Sequence, residues 1–297
     1  MDGLIVHLRI RVTGTVQGVG FRPFVYRVAR ELGIVGFVGN DAVGVFIDAQ
    51  GAASALETLQ QVLVQDPPPL AIVKRVVVEA ELPLDSTLQA FTIAASTDGN
   101  ALSTTSLPPD TAMCGNCRSE VLDPTNRRFR HPFATCTDCG PRFTIATALP
   151  YDRPNTTMAD FPMCECCFAE YHDPSDRRFH AQPIACNDCG PELTFVSGSV
   201  SVHREAAIAA AITSLHDGKT IAVKGLGGYH LACKADDADA VQLLRSRKHR
   251  GDKPFALLAR DLDAVRALAE VSDDEASLLQ SPQSPIVLLR PARSDRA

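Results

Sequence analysis

The residues best suited to chemistry are eight cysteines in the middle of the chain, arranged as four Cys-x-x-Cys pairs. The pairs fall in two segments that repeat at a period of 50 residues, and their positions are Cys114, Cys117, Cys136, Cys139, Cys164, Cys167, Cys186 and Cys189. Other residues repeat as well, because Arg127-Arg128-Phe129 recurs as Arg177-Arg178-Phe179. Two copies of one small module are therefore expected.

Cysteine pairs at this spacing are typical of structural zinc sites, in which two pairs supply four thiolates to one tetrahedral ion. Four thiolates leave no coordination position for water, so two structural zinc ions are expected rather than a catalytic metal. One zinc per repeat is favoured, because a local loop costs less entropy to close. An interleaved arrangement, with the outer pairs sharing one ion and the inner pairs the other, stays open. We expect that Cys166, Cys233, His131 and His180 are not ligands.

A second candidate site is a glycine-rich loop between a predicted strand and a predicted helix. Its residues are Val16, Gln17, Gly18, Val19, Gly20 and Phe21, followed by Arg22. Glycines let backbone N–H groups converge on a phosphate at a helix N-terminus, and an arginine suits phosphate oxygens. On spacing alone, a tight turn with a surface arginine explains the loop equally well. Asn40 follows the next predicted strand, where an ordinary turn residue is the alternative.

A third candidate is the dense basic cluster that includes Lys248, Arg250 and Lys253. It lies between a predicted helix and a predicted strand, and it follows a second glycine-rich turn at residues 224–230. A solvated surface is the common interpretation of such a charge run. Its position near a glycine loop favours a nucleoside triphosphate site, and nucleic acid remains an alternative.

The elements around the first loop predict a ferredoxin-like fold. Alternating apolar residues predict strands at 4–12, 34–38, 43–48, 72–79 and 91–94, with helices from Pro23 to about residue 32 and from 52 to 64. The first six of these elements follow the order β-α-β-β-α-β, which is typical of an antiparallel sheet with two helices on one face. The last hundred residues predict helices at 205–216 and 237–247, a buried strand at 220–224, and further strands at 255–259 and 286–289.

The 297 residues therefore indicate an α+β multidomain protein. The expected divisions are residues 1–96, a linker at 97–109, a cysteine-repeat region at 110–197 and an α/β domain at 198–297. No apolar run is long enough to span a membrane, and the start lacks the apolar core of a signal peptide. We therefore expect a cytoplasmic protein without a membrane partner, and in a reducing compartment cysteines are poor disulfide formers.

The net charge of -6 is concentrated in the cysteine region. Residues 97–197 contain 8 Lys and Arg against 13 Asp and Glu, whereas residues 198–297 contain 14 against 13. Eight thiolates around two zinc ions would add further negative charge. This charge opposes phosphate attraction, so nucleic acid is not favoured as a partner of the cysteine region.

Residues 14–22, followed by Gly36-Phe37-Val38-Gly39-Asn40, closely resemble the signature of the acylphosphatase family. The resemblance covers about residues 4–96 and agrees with the predicted topology. It implies that the loop amides and Arg22 hold an acyl phosphate, while Asn40 orients the attacking water. Positioning and electrostatics then suffice for catalysis, because an acyl phosphate has a good leaving group.

The basic cluster and residues 224–233 resemble the start of the YrdC-like fold. That resemblance assigns Lys248, Arg250 and Lys253 to the phosphates of ATP, with magnesium as the accompanying ion. Lys234 departs from the family pattern, which usually has an acidic residue there.

The order of acylphosphatase domain, paired four-cysteine zinc fingers and incomplete YrdC-like domain is similar to the N-terminal portion of the HypF carbamoyltransferase family of nickel–iron hydrogenase maturation. The resemblance implies cleavage of carbamoyl phosphate to carbamate and phosphate, activation of carbamate with ATP as carbamoyl adenylate, and transfer to the C-terminal cysteine of a HypE-type partner. The chain looks like a fragment of such a protein. The alternatives are a non-catalytic zinc-dependent protein- or RNA-binding module and a plain acylphosphatase of broad specificity.

Overall fold

The computed structural model describes residues 4–96, 106–225 and 228–292. Contacts divide the chain into two compact units, Met1–Pro191 and Glu192–Ala297. Most of the predicted linker, residues 97–105, lies outside the described residues, as do two residues of the second glycine-rich turn, 226 and 227. Within the described part of the chain, no helix combines the length and the apolar character that crossing a membrane requires.

The first unit begins with a mixed α/β domain. Its elements are strand β1 Ile5–Thr15, helix α1 Phe21–Glu31, strands β2 Val35–Asn40 and β3 Val45–Ala52, helix α2 Ala53–Gln65, and strands β4 Ile72–Leu82 and β5 Phe91–Ile93. The five strands form one sheet in the order β4-β1-β3-β2-β5. The first four strands have the predicted ferredoxin-like arrangement, which is confirmed.

The sequence predicted an antiparallel sheet, but one strand pair of the sheet is parallel. β1 pairs antiparallel with β3 and β4, and β2 pairs antiparallel with β3, but β5 runs parallel to β2 with Gly36 opposite Phe91. The chain leaves β4 at one edge of the sheet and returns at the opposite edge, where it enters in the direction of β2. Alternation along a strand predicts which residues are buried but carries no information on that direction.

The core of this domain lies between the sheet and the two helices. Buried apolar residues come from the strands, the glycine loop and both helices, and they include Ile10, Val12, Val16, Val19, Phe21, Val25, Ala29, Val38, Ile47, Leu56, Leu59 and Leu63. Helix α1 begins at Phe21, two residues before the predicted start at Pro23. Proline is tolerated in this first turn because its missing N–H would have no intrahelical partner there.

The cysteine repeats form two small modules in the same unit. Each contains one short helix, α3 Gly115–Leu122 in the first repeat and α4 Glu165–His172 in the second. Three 3-10 turns, Phe143–Ile145, Arg153–Asn155 and Thr157–Asp160, follow the first module. The modules have little apolar core, since the buried clusters there consist largely of the cysteines themselves.

The second unit is built from short elements. They are strands β6 Thr194–Ser197 and β7 Val200–His203, helix α5 Arg204–His216, strands β8 Ile221–Gly225 and β9 Gly228–Ala232, helices α6 Ala238–Arg247 and α7 Leu262–Arg266, strand β10 Ala269–Glu270, helix α8 Asp273–Leu279 and strand β11 Arg290–Pro291. Its described strands pair only two by two, as β6-β7, β8-β9 and β10-β11.

Three predictions for this unit are wrong. Residues 220–224 contain a strand, but it is not buried, because β8 pairs with β9 alone and most of its side chains are exposed. Residues 255–259 and 286–289 are not strands in the structure. Their apolar side chains remain open to solvent, with Ile286 80% and Leu288 89% exposed. A short apolar run becomes a strand only where a neighbouring strand accepts its hydrogen bonds, and the run itself does not reveal that neighbour.

Candidate functional site

The glycine loop is anchored by its apolar residues and turned by its glycines. Val16, Val19 and Phe21 are buried in the core, so the loop presents its backbone outward. Gly18 and Gly20 have φ angles of 70° and 73°, a left-handed conformation that glycine adopts without steric cost. Helix α1 starts directly after the loop, and the N–H groups of its first turn are oriented outward from the helix end. This arrangement is suited to an anion.

The side chain of Gln17 is committed to the fold. Its Nε2 donates to the backbone oxygens of Asp41 and Gly44, at 2.7 and 3.1 Å. Its Oε1 accepts from the backbone N–H of Tyr151 at 3.1 Å. Gln17 therefore ties the loop both to the turn after β2 and to the cysteine-repeat region, and only its backbone is available for a ligand.

Arg22 lies at the inner end of the loop and is only 8% exposed. Its Nη2 forms an ion pair with Asp152 Oδ1 at 2.5 Å, and its Nη1 donates to Ser96 Oγ at 3.2 Å. The expected phosphate anchor thus has a carboxylate partner from the segment between the two cysteine modules. The sequence did not indicate this pairing, because 130 residues separate the two side chains.

Asn40 ends β2 and is 1% exposed. Its Oδ1 is buried without a hydrogen-bond partner among the described residues. An uncompensated buried polar atom is costly, so such an atom in a pocket commonly marks the position of a water or a ligand group. Asn40 shares that pocket with Arg22.

The pocket has two walls of different origin. One wall comes from the glycine loop, Arg22 and Asn40, and the other comes from the cysteine-repeat region through Thr137, Arg142, Tyr151, His180, Ala181, Gln182 and Pro183. It encloses a volume of about 330 Å³, counting its open mouth. The two walls are in close contact, since a Cβ atom added at Gly20 would lie 2.9 Å from Thr137 Cβ. We name the wall formed by the seven residues from Thr137 to Pro183 the finger wall.

Arg142 connects the first cysteine module to the loop. It is 1% exposed and donates to the backbone oxygens of Cys136, Thr137, Cys139 and Pro141 at 2.8–2.9 Å. Its Nε also donates to the backbone oxygen of Gly18. The same guanidinium therefore holds the turn of Cys136 and Cys139 and the glycine loop together.

Each cysteine quartet forms a compact site. The four Sγ atoms of Cys114, Cys117, Cys136 and Cys139 lie within 4.8 Å of one another, and so do those of Cys164, Cys167, Cys186 and Cys189. The structure thus brings together the cysteines of one repeat, rather than outer and inner pairs.

The geometry of the quartets suits zinc. Sulfur–sulfur distances in the first quartet are 3.7 Å for Cys114–Cys136, 3.8 Å for Cys136–Cys139 and 3.6 Å for Cys117–Cys139. The second quartet has the same three distances. A tetrahedral zinc with bonds of about 2.3 Å to sulfur separates its thiolates by about 3.8 Å. The residues therefore fit a closed structural zinc site in each repeat.

The arginines of each repeat contact the metal site of the other repeat. Arg127 donates to Cys167 Sγ at 2.8 Å, and Arg128 pairs with Glu170 at 2.5 Å. The reciprocal contacts join Arg177 to Cys117 Sγ at 3.1 Å and Arg178 to Glu120. We name these contacts the crossed arginine pairs. They place positive charge beside thiolates that a divalent ion neutralises only in part.

The glutamates of the crossed pairs are held in their ionised form. Burial alone would raise the pKa of Glu120, but hydrogen bonds from Arg178 and Arg177 outweigh it and lower that pKa to about 2. The pKa of Glu170 is lowered against the same effect of burial by Arg128 and Arg127. Because both pKa values are depressed, these pairs stabilise the fold above pH 4.5 and lose that contribution as the pH falls toward 2.

The histidines and the remaining cysteines lie outside the two quartets. His131 is buried, and its Nδ1 contacts Asn187 Oδ1 at 3.1 Å. Burial lowers the pKa of His131 to about 4, so the ring is neutral at physiological pH. Cys166 is exposed and Cys233 is half-buried. His180, like His131, was expected not to be a ligand, and it lies outside both quartets, on the finger wall.

In the second unit, Lys248, Arg250 and Lys253 lie on the turn after helix α6. Arg250 donates from Nε and Nη2 to the backbone oxygen of Pro254, and its guanidinium lies 5.2 Å from the centre of the Phe255 ring. Arg245 holds the same turn by donating to the backbone oxygen of Lys253 at 2.9 Å. The turn is therefore ordered by its arginines, while Lys248 and Lys253 are exposed to solvent.

Three family models match the chain in succession. The Acylphosphatase model matches residues 8–93, the HypF finger model matches residues 113–146 and 163–196, and the model described as Telomere recombination, which covers Sua5, YciO and YrdC, matches residues 213–297. The three matches cover the parts of the chain that contain the loop, the cysteine quartets and the basic turn.

Similar proteins include Carbamoyltransferase HypF2 of Cupriavidus necator, which is 52% identical over 289 residues, 96% of this chain and 35% of that protein. The acylphosphatase of Thermotoga maritima is 48% identical over 77 residues, 26% of this chain and 84% of that protein. A crystal structure of full-length HypF in the phosphate- and nucleotide-bound form superposes with a TM-score of 0.90 at 41% identity and covers 97% of this chain and 38% of that one. The chain spans about a third of the length of its carbamoyltransferase relatives.

The crossed arginine pairs predict that a change in one repeat weakens the metal site of the other. Arg178→Met removes the charge beside Cys117 and Glu120, so the first quartet should release zinc several-fold faster in the presence of a chelator. Arg128→Met should have the same effect on the second quartet. The measurement is alkylation of individual cysteines, followed by mass spectrometry. If alkylation instead labelled mainly the quartet of the mutated repeat, the prediction that each repeat stabilises the quartet of the other would be wrong.

The Arg22–Asp152 pair predicts an effect on anion binding. Asp152→Asn keeps an oxygen that accepts from Arg22 but removes the opposing charge, so inorganic phosphate should bind at least about threefold more tightly. Asp160→Asn, at an exposed position of the same region, is the control and should leave phosphate affinity unchanged. Titration calorimetry with phosphate measures both. Equal or weaker binding by the Asp152 variant would show that the carboxylate does not oppose the anion.

Proposed function

Since the chain belongs to the HypF family of carbamoyltransferases and matches the N-terminal portion of its members, we propose that its acylphosphatase domain hydrolyses carbamoyl phosphate. Water attacks phosphorus, and the bond between phosphorus and the carbamoyl oxygen breaks. Carbamate leaves with the electron pair, and the phosphoryl group takes up the hydroxyl. The products are carbamate and dihydrogen phosphate, which balance the atoms and charge of carbamoyl phosphate and water.

The observation that best supports this proposal is the unpartnered Oδ1 of Asn40 in the pocket that contains Arg22. A carboxamide oxygen can accept a hydrogen bond from a water molecule and so orient its lone pair toward phosphorus. The water needs no strong base, because carbamate is a good leaving group and the reaction depends on positioning. Asn40 is thus assigned as the water-orienting residue.

The positive charge that would bind the phosphoryl group is assigned to the glycine loop and Arg22. The backbone N–H groups of residues 16–21 and the start of helix α1 provide positive potential, and Arg22 adds a full charge. This set would bind the phosphoryl oxygens more tightly as negative charge shifts in the transition state. Asp152 compensates Arg22 in the substrate-free protein, so phosphate must share or displace this contact.

The two quartets are assigned structural zinc ions. When bound, zinc supplies a fixed tetrahedral junction for chain segments that have few apolar residues to bury. The crossed arginine pairs then join the two junctions, and Arg142 joins the first of them to the catalytic loop.

For the second unit we assign ATP as the ligand, with Lys248, Arg250 and Lys253 on its phosphates. The arginine-ordered turn supports this assignment because it presents two exposed ammonium groups next to a fixed guanidinium. In the complete enzyme, carbamate and ATP would form carbamoyl adenylate and pyrophosphate. The sulfur of the C-terminal cysteine of a HypE-type protein would then attack the carbamoyl carbon, and the bond from that carbon to the phosphate oxygen would break, which releases AMP and the thiol proton.

Replacing the anchor of the phosphoryl group should abolish the first reaction. Arg22→Ala is expected to lower kcat/KM for carbamoyl phosphate by about two to three orders of magnitude, as expected for loss of a transition-state charge partner. Phosphate release is the measurement. Asn40→Ala, which leaves the Arg22–Asp152 pair intact, should give a loss of similar size.

The matched control is Arg30→Ala, because Arg30 lies at the exposed end of the same helix and its guanidinium contacts Tyr26, away from the pocket residues. Its turnover should equal that of the wild type. Unchanged hydrolysis by the Arg22 variant, in protein that keeps its zinc content and circular dichroism spectrum, would refute the assignment.

Nucleotide binding by the second unit is tested separately. The double change Lys248→Ala and Lys253→Ala should weaken ATP binding by tenfold or more, since two phosphate contacts are lost. Lys219→Ala is the control, as Lys219 is an exposed lysine that pairs with Asp217 in the same unit. Equilibrium binding of a fluorescent ATP analogue reports both variants. Equal affinity in all three proteins would exclude these lysines from the site.

A further inference from the structure

One wall of the pocket is formed by residues that lie outside the acylphosphatase match. The match to the Thermotoga maritima acylphosphatase covers 77 residues of this chain and 84% of that protein, and the acylphosphatase family match ends at residue 93. The loop, Arg22 and Asn40 fall inside that match. The finger wall begins at Thr137 and ends at Pro183, so it is an addition to the common phosphatase site.

Most polar groups of the finger wall are already committed. Arg142 donates to five backbone oxygens, and Tyr151 Oη contacts the backbone oxygen of Pro141 at 3.5 Å. Gln182 accepts from the backbone N–H of Arg153 at 2.8 Å and donates to Tyr171 Oη and the backbone oxygen of His180. Thr137 Oγ1 contacts the backbone oxygen of Arg177 at 3.3 Å. These groups hold the wall in place and have little remaining capacity for a ligand.

His180 is the exception. Neither nitrogen of its ring forms a hydrogen bond with any residue in ranges 4–96, 106–225 and 228–292, although aromatic neighbours fix the ring itself. Its ring centre lies 4.6 Å from that of Phe179 and 4.9 Å from that of Tyr171. The backbone is held as well, because its N–H donates to the Tyr171 oxygen at 3.0 Å. A positioned imidazole with free polar atoms thus faces the pocket.

The repeat shows that this side chain is not required by the local backbone. His180 has a φ angle of 54°, and the equivalent residue of the first repeat, Arg130, has 55°. Their N–H groups make equivalent bonds, to the oxygens of Tyr171 and Val121. The left-handed turn is therefore a property of the module, whereas the imidazole is particular to the copy that borders the pocket.

The imidazole is neutral and can accept a hydrogen bond. Burial, followed by the positive charges of Arg22 and His172, lowers the pKa of His180 to about 4, while Asp152 opposes that shift. A neutral imidazole has one N–H donor and one nitrogen acceptor. Carbamoyl phosphate and acetyl phosphate share the phosphate and the carbonyl, and they differ in an amino group, which donates hydrogen bonds, against a methyl group, which does not.

We infer that His180 is a specificity-determining residue, whose ring nitrogen accepts a hydrogen bond from the amino group of carbamoyl phosphate and so selects it over acetyl phosphate. The inference rests on the proposed hydrolysis of carbamoyl phosphate. A site that hydrogen-bonds an amino group rejects an analogue without it, because the acceptor is then left unpaired in the pocket.

The test compares two substrates in the full chain. His180→Phe keeps an aromatic ring between Tyr171 and Phe179 but removes the acceptor. It should lower kcat/KM for carbamoyl phosphate about tenfold, the effect of one hydrogen bond in a pocket, and raise kcat/KM for acetyl phosphate, because no acceptor is then left unpaired beside the methyl group. His180→Asn tolerates the left-handed backbone and retains an accepting oxygen, so it should recover part of the preference.

Arg130→Phe is the matched control, since it places the same side chain on the same backbone conformation in the other repeat. It should leave both substrates unchanged. An equal fall for both substrates in the His180→Phe variant, or no change in their ratio, would overturn the inference while the proposed hydrolysis stands. Failure of the proposed function would be seen instead as full turnover by Arg22→Ala, and the inference would fall with it.

Discussion

The first unit depends on balancing the negative charge of two clusters of four cysteines. A divalent ion would neutralise only half of the charge on four thiolates, and the cysteine region is already acidic. The crossed arginine pairs supply the missing positive charge, and each repeat supplies it to the other. Because the arginines that contact each quartet come from the other repeat, the two modules stabilise each other as a pair. Their small apolar clusters could not provide that cohesion.

This pairing fixes the finger wall. The residues that border the pocket come from both modules and from the segment that joins them, so the wall exists only when the modules are held in one arrangement. Arg142 then transmits the arrangement to the loop, since the guanidinium that holds the turn of Cys136 and Cys139 also binds the Gly18 oxygen. Asp152, in the segment between the two modules, likewise holds Arg22 in position through its ion pair. The geometry of the glycine loop and Arg22 thus depends on contacts with residues more than a hundred positions away in sequence.

Local patterns predicted the parts of this structure that local physics determines. Strand alternation, the loop glycines and the cysteine spacing each reflect a constraint within a few residues, and the order of elements followed from them. The direction of β5 and the unpaired run at 286–289 were predicted wrongly, because both depend on a partner strand that alternation does not identify. The pairing of Arg22 with Asp152 was missed because the partner lies 130 residues away and no local pattern identifies it. The roles given to Arg22 and Asn40 stay predictions that activity measurements must test.

One signal in the repeat could have revealed the wall. Where two copies of a module agree, the shared residue serves the module, as with the arginine pairs and the cysteines. Where the two copies have different side chains at equivalent positions, the fold of the module does not require either side chain. Arg142 aligns with Glu192, and His180 aligns with Arg130; each copy departs from its twin at the residue that contacts the loop or lines the pocket. The cysteine modules are therefore more than a support between domains, because the positions at which the two copies differ supply one wall of the pocket that contains Arg22 and Asn40.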